Sequence, residues 1–239
     1  AKPLLAWYPL HARDLPWRHT QEPYRIWLSE IMLQQTRVEA VKNYSARFLE
    51  TFPDSAALAA AEQDQVNKCW EGLGYYSRAA NLRKAAQTSQ AQYGGVFPRT
   101  WEEVRGLAGV GDYTAGAVCS ICYGLPTPAV DGNVLRVAAR VMNHFCEIDR
   151  PEQKAAVTAL LRQVYLDNPE HCGTLTQAFM EIGATVCVPN GQPHCEACPL
   201  SELCLGRQYC DALRLPQRTA KKARRQEQYT VFVLQCDGK

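Results

Sequence analysis

A glycine turn between two helical patterns constrains this chain more than any other feature. Leu107-Ala108-Gly109-Val110-Gly111 separates a capping-box start at Thr100-Trp101-Glu102-Glu103 from a helical run over Tyr113 to Ile121. Glycines at 109 and 111 permit a tight turn whose backbone N–H groups stay uncovered by side chains. Those amides then sit at a helix N-terminus, a site suited to a phosphate. Val130-Asp131-Gly132-Asn133-Val134 follows and opens another helical pattern through Val137 and Val141. Asp is a preferred N-cap, so capping alone accounts for Asp131 as well as a chemical role does. A phosphate grip and a poised carboxylate close in sequence point to chemistry on a nucleic acid backbone or sugar.

The 239 residues, 46% hydrophobic and 21% charged, fit a soluble globular protein of one large or two small domains. The longest uncharged run, Tyr113 to Val130, contains Gly116, Gly124, Pro126 and Pro128, so no membrane span and no membrane partner are expected. No basic-then-apolar leader opens the sequence, and Ala1 rather than Met begins it, which predicts an expressed or processed piece. Net charge is +2 and uneven: residues 212–239 carry +5 and residues 1–211 carry −3. A nucleic-acid-binding domain without excess positive charge must rely on local placement. Hairpin amides, helix N-termini and Arg37, Arg78 and Arg83 are the expected contacts.

Six of the eleven cysteines fall between 172 and 210. Within that stretch Cys187, Cys195, Cys198 and Cys204 follow C-x7-C-x2-C-x5-C in a loop punctuated by Pro and Gly. A C-x2-C pair puts two thiolates on one metal centre, and two further cysteines complete four-fold ligation. Disulfides are one alternative, although Cys69, Cys119, Cys122 and Cys146 lie scattered in helical patterns, as in a reducing interior. Zinc and an iron–sulfur cluster both accept four thiolates, and Cys172 and Cys210 lie close enough to substitute.

The segment Ile26 to Val38 reads as one helix with an apolar stripe through Trp27, Ile31, Val38 and Val41. Glu30 and Gln34 fall on or beside that stripe. A carboxylate on a buried face is either paired with an arginine or raises its pKa and keeps its proton. The second case makes Glu30 a general acid near neutral pH.

Leu28-Ser29-Glu30-Ile31-Met32-Leu33-Gln34-Gln35-Thr36 resembles the corresponding motif of MutY-type adenine DNA glycosylases, in the helix-hairpin-helix superfamily that includes endonuclease III. Pro16-Trp17-Arg18, Gly72 to Arg78, Leu107 to Ala117, Val130 to Val134 and the cysteine loop match in the same order, covering about residues 7 to 211. The resemblance implies an all-α helix-hairpin-helix glycosylase fold. It comprises a six-helix barrel (17–126, hairpin about 101–121) and an iron–sulfur cluster domain (1–16 with 127–211). Residues 212–228 are expected to be a basic linker, and the strand-like run at 229–235 the start of a MutT-like domain that recognises 8-oxoguanine.

The resemblance also implies roles. Glu30 protonates adenine, and Asp131 stabilises or transiently traps the sugar, with Asn133 beside it. Tyr113 stands where lyase-competent relatives carry the Schiff-base lysine, which implies a monofunctional enzyme. Trp17, Arg18, Leu33 and Gln177 match base-pocket positions. Gln34, Gln35 and Tyr75 work at the duplex, and Gly109, Val110 and Gly111 grip its backbone. Gly72 and Gly74 are expected to turn Tyr75 outward. The implied cofactor is one [4Fe–4S] cluster on Cys187, Cys195, Cys198 and Cys204, although the family spaces the first pair one residue closer. The expected substrate is double-stranded DNA carrying A:8-oxoguanine or A:G, acted on by a monomer in a bacterial cytoplasm or a eukaryotic nucleus or mitochondrion. An endonuclease III-like glycosylase/lyase and a non-catalytic cluster-bearing DNA-binding module are the alternatives.

Overall fold

Pro at the first helical turn, short polar caps and glycine stops divide this chain into brief helices rather than long ones. The computed structural model describes residues 1–219 and 227–232, and its regular elements there are helical apart from one bridge between Glu147 and Gln217. Helices α1 (Lys2–His11), α2 (Pro23–Leu33), α3 (Val38–Thr51), α4 (Ser55–Ala60), α5 (Gln63–Trp70) and α6 (Ser77–Tyr93) come first. The hairpin helices α7 (Trp101–Arg105) and α8 (Asp112–Tyr123) follow. Then come α9 (Gly132–Val141), α10 (Pro151–Leu166), α11 (Cys172–Thr185) and α12 (Leu205–Gln208). None is long and apolar enough to cross a membrane.

The expected helix from Ile26 to Val38 is broken in two: it ends as α2 at Leu33 and restarts as α3, with Gln35 between them in the left-handed region at φ 57°. The alanine-rich stretch from Ser55 to Trp70 also forms two helices, the first ending at Ala60 and the second restarted as α5 by the Glu62–Gln65 capping box. Alanine favours helix without marking its ends. The predicted capping box at Thr100 and Glu103 forms, as do the side-chain caps by Asp54 and Asp131.

One apolar core gathers buried residues from Leu15 to Ala129, centred on Trp27, Phe48, Trp70 and Val118. Two further clusters join α1 with α9, α10, α11 and the loop after α11. Helix α11 packs against α1, α8 and α9 and so ties the clusters together. Residues 212–217, within the expected linker, pack on these two clusters: Leu215 is buried, Arg140 donates to its carbonyl at 3.0 Å, and Ile148 N–H donates to Gln217 O at 3.0 Å. In the expected strand, residues 229–232 adopt no strand, and 233–235 lie outside the described residues, as do Lys221, Lys222, Arg224 and Arg225.

The hairpin requires Gly109. Its φ is 75°, and a Cβ there would lie 2.8 Å from Asn81 Cβ on α6. Val110 and Leu107 are buried beneath it, while Gly111 caps α8 and leaves its first amides without a side-chain partner. Gly109→Ala should therefore lower the unfolding free energy by about 1–3 kcal/mol, from left-handed strain and the Asn81 contact. Urea unfolding followed by circular dichroism measures that loss.

Candidate active site

Helix α2 is buried over most of its length, which places Glu30 at 6% exposure. Burial pushes its carboxyl up to about 7; a hydrogen bond from the Tyr113 hydroxyl pulls it down, the neighbouring Asp131 pushes it up and Arg18 pulls it down. Burial, Glu30 and Asp131 together raise Tyr113 well above its ordinary value, so the phenol stays a neutral donor. At neutral pH a substantial fraction of Glu30 holds a proton inside a cleft.

Asp131 faces it from the start of α9. One carboxylate oxygen accepts Asn133 N–H and Val134 N–H, each at 2.9 Å, and the other accepts Asn133 Nδ2 at 2.8 Å. These donors and the helix N-terminus turn partial positive charge towards the carboxylate. Asn133 is itself held by Arg136 Nη2 at 3.0 Å, and Arg136 also donates to Gly183 O at 2.7 Å. Gly183 lets α11 come that close, since a Cβ there would lie 2.9 Å from Asn133 Cβ. Asp131 is thus a helix cap and a cleft-facing carboxylate at once.

Trp17, Arg18, Glu30, Leu33, Tyr113, Asp131, Asn133 and Gln177 line this one cleft, which has a cavity volume of about 140 Å³ and opens to solvent. Arg13 and Met180 line it too, and the sequence reading missed them. Arg18 does not stand alone: its Nη2 donates to the buried Glu181 carboxylate at 2.5 Å and its Nη1 to Arg13 O at 3.0 Å. Gln177 Oε1 accepts the Tyr8 hydroxyl from α1. Glu181 follows Gln177 by one helical turn, so face-sharing on α11 was a signal for it. Tyr8 left no such signal.

Gln34, Gln35, Tyr75 and the hairpin residues lie outside the cleft wall. Gln35 is exposed, and Tyr75 is 62% exposed at φ 48°, following Gly72 and Gly74 at φ 97° and 69°. The expectation that Arg78 reaches DNA is overturned. Arg78 is buried, and its guanidinium donates to Ile31 O, Met32 O, Gln34 O, Leu73 O and Gly74 O, tying the Gln35 turn to the Tyr75 turn. Arg83 donates to Ala61 O. Each guanidinium satisfies carbonyls at broken helix ends, a need that charge counting does not reveal. Arg37 remains exposed.

Cys187, Cys195, Cys198 and Cys204 line a single recess with Val137, Ile182, Val186 and Leu200, and none forms a disulfide. Arg140 Nη1 donates to Cys187 Sγ at 3.3 Å. Among the described residues no three His, Cys, Asp or Glu side chains converge closely enough to hold a single metal ion.

A family model described as HhH-GPD superfamily base excision DNA repair protein matches residues 28–163. The human "Adenine DNA glycosylase" is 42% identical over 214 residues, which cover 86% of this chain and 39% of that protein. The chain therefore spans well under half the length of that relative. A solved thermostable thymine-DNA glycosylase superposes with TM-score 0.78 and 28% identity, covering 87% of this chain and 95% of that one. An endonuclease III–DNA complex shares the fold with TM-score 0.71, 23% identity and coverage of 87% and 94%.

Glu30 also sets a stability trend. A carboxyl raised from 4.5 to about 7 costs folding free energy that is absent below the unfolded pKa and complete above the folded one. Glu30→Gln should stabilise the protein at pH 8 by about 3 kcal/mol, with the gain vanishing towards pH 4.5. Denaturant melts of the two proteins across this range read it directly.

Proposed function

We propose that this chain, which belongs to the HhH-GPD superfamily of base excision DNA repair proteins, hydrolyses the N-glycosidic bond of adenine in double-stranded DNA. The proposed targets are A:8-oxoguanine and A:G mispairs, and the enzyme is monofunctional. The observation that carries this reading is the pairing of buried Glu30 with Asp131 across one cleft, with Tyr113 rather than an amine between them. The resemblance to adenine glycosylases supports adenine as the base.

Breaking the bond from C1′ to the base nitrogen sends its electron pair to the purine and leaves positive charge on the sugar. Glu30 supplies the proton to the departing base, and its raised pKa keeps that proton available near neutrality. The Asp131 carboxylate stabilises the oxocarbenium-like sugar until water adds at C1′ and gives up a proton to a carboxylate of the cleft, in the manner of paired glycosidase carboxylates. Tyr113 holds Glu30 through its hydroxyl and offers no amine for a Schiff base, so the abasic strand stays intact. Tyr8 occupies the Gln177 oxygen, which leaves the amide N–H groups to donate to the base. The base reaches this cleft only by leaving the duplex, and Gln35 and Tyr75 fill the gap. The hairpin amides from Gly109 to Gly111 receive the backbone.

Cys187, Cys195, Cys198 and Cys204 hold one [4Fe–4S] cluster in this reading. Four thiols around a shared recess, with Arg140 donating to one, suit a group larger than a single ion. When bound it supplies four thiolate bonds that anchor the 187–204 loop. A monomer working beside DNA in a reducing compartment, whether nucleoid, nucleus or mitochondrion, fits the same reading.

Single-turnover assays on A:8-oxoguanine, A:G and A:C duplexes, with and without later alkali, test the function. Adenine release with strand cleavage only after alkali is expected, fastest for the first two. Glu30→Gln and Asp131→Asn should each slow release at least about 100-fold. Nicking without alkali, or borohydride trapping on DNA, would replace this reading with a glycosylase/lyase. The purified protein should be brown with broad visible absorption; a colourless, zinc-loaded protein from anaerobic purification overturns the cluster.

A further inference from the structure

Among the described residues two acidic side chains are buried, Glu30 and Glu181, and the reaction above uses only the first. Glu181 sits on α11 with no side-chain exposure, and its carboxylate meets two guanidiniums. Its Oε1 accepts Arg13 N–H at 2.9 Å and Arg13 Nε at 2.8 Å; its Oε2 accepts Arg13 Nη2 at 2.9 Å and Arg18 Nη2 at 2.5 Å. Burial alone would raise this carboxyl, but those hydrogen bonds outweigh it and hold the group at about 2.

The partners explain the arrangement. Arg13 and Arg18 lie in the connection between α1 and α2, where residues 12–15 are irregular and only a single 3-10 turn, Pro16–Arg18, follows. No helical ladder fixes these side chains. A bidentate fork to the buried carboxylate sets position and plane for Arg13, and single bonds to Glu181 Oε2 and Arg13 O hold Arg18. The same contacts continue around the cleft: Arg18 lies 5.6 Å over the Tyr8 ring, and Tyr8 donates to Gln177. Two cations on one anion also leave net positive charge on that wall.

We infer that Glu181 is a positioning residue for the base-recognition wall, holding Arg13 and Arg18 so that Arg18, Trp17 and Gln177 present one fixed surface to the extruded base. This rests on the reading of the cleft as a base pocket. It differs from a purely structural ion pair in what it controls: capture and turnover of the base, not affinity for DNA as such.

The test compares wild type with Glu181→Gln and Glu181→Asp in the full chain. Adenine release in single turnover and affinity for a duplex carrying tetrahydrofuran in place of the target nucleotide are measured side by side. A third readout is nitrogen-15 NMR of the Arg13 and Arg18 Nε–H groups, assigned through Arg13→Lys and Arg18→Lys. We expect Glu181→Gln to slow release about 10- to 100-fold, as a displaced recognition group does, with unchanged tetrahydrofuran-duplex affinity and loss of the protected Nε signals. Glu181→Asp should keep the charge and recover part of the rate. Wild-type release by Glu181→Gln overturns the inference, and so does a parallel fall in release and tetrahydrofuran-duplex affinity. If Glu181→Gln does not fold, wild-type release by Glu181→Asp overturns it, because the carboxylate is then withdrawn by one methylene without effect. If wild type releases no adenine, the base-pocket reading falls instead. Nε signals that collapse in Glu181→Gln then uphold the positioning claim, and signals that persist sink it.

Discussion

The close seating of α11 is the constraint on which the cleft depends. A Cβ at Gly173 would lie 3.0 Å from Ile121 Cα and Ser120 O, and one at Gly183 2.9 Å from Asn133 Cβ. Two glycines ten residues apart therefore let one helix touch both the end of α8 and the start of α9. Between them the buried hydroxyls of Ser120, Thr176 and Tyr165 bond in series at 2.7 and 2.9 Å, so the contact is polar yet satisfied. From that seat α11 presents Gln177 to Tyr8 of α1 and Glu181 to Arg13 and Arg18 in the connection between α1 and α2.

Within this frame two buried carboxyl groups acquire opposite characters. Glu181 is held ionised by Arg13 and Arg18, whereas Glu30 has one phenol as its hydrogen-bonding neighbour and keeps its proton into the neutral range. The difference comes from the environment alone, since both lie on helices and both are buried. Arg18 acts on both, bonding Glu181 directly and drawing Glu30 towards the ionised form only as the last of four influences. The separation of the two protonation states is the chemical content of the cleft.

Much of this was legible from residue order. The Gly109–Gly111 turn, the Asp131 cap and the awkward place of Glu30 on an apolar stripe are local signals, and local chemistry is what a chain displays most openly. Even there the helix from Ile26 to Val38 was misread as continuous, because its break depends on a guanidinium from Ser77–Tyr93 that takes up the loose carbonyls. Arg78 looked like a surface cation for the same reason: its partners include backbone oxygens far away in sequence. Arg13, Tyr8 and Glu181 could not be assembled beforehand, since they meet only after α1 has packed on α11.

The tie that Arg78 makes between two turns has a consequence for the proposed reading of the chain. Gln35 and Tyr75 stand on separate loops, and one buried side chain bonds the carbonyls of Gln34, Leu73 and Gly74 beside them. The spacing of the two exposed side chains is therefore tied to a buried guanidinium and not to the loops alone. If the chain acts on a duplex as proposed, a fixed spacing leaves the nucleic acid to deform, and poorly stacked or mispaired steps deform at least cost.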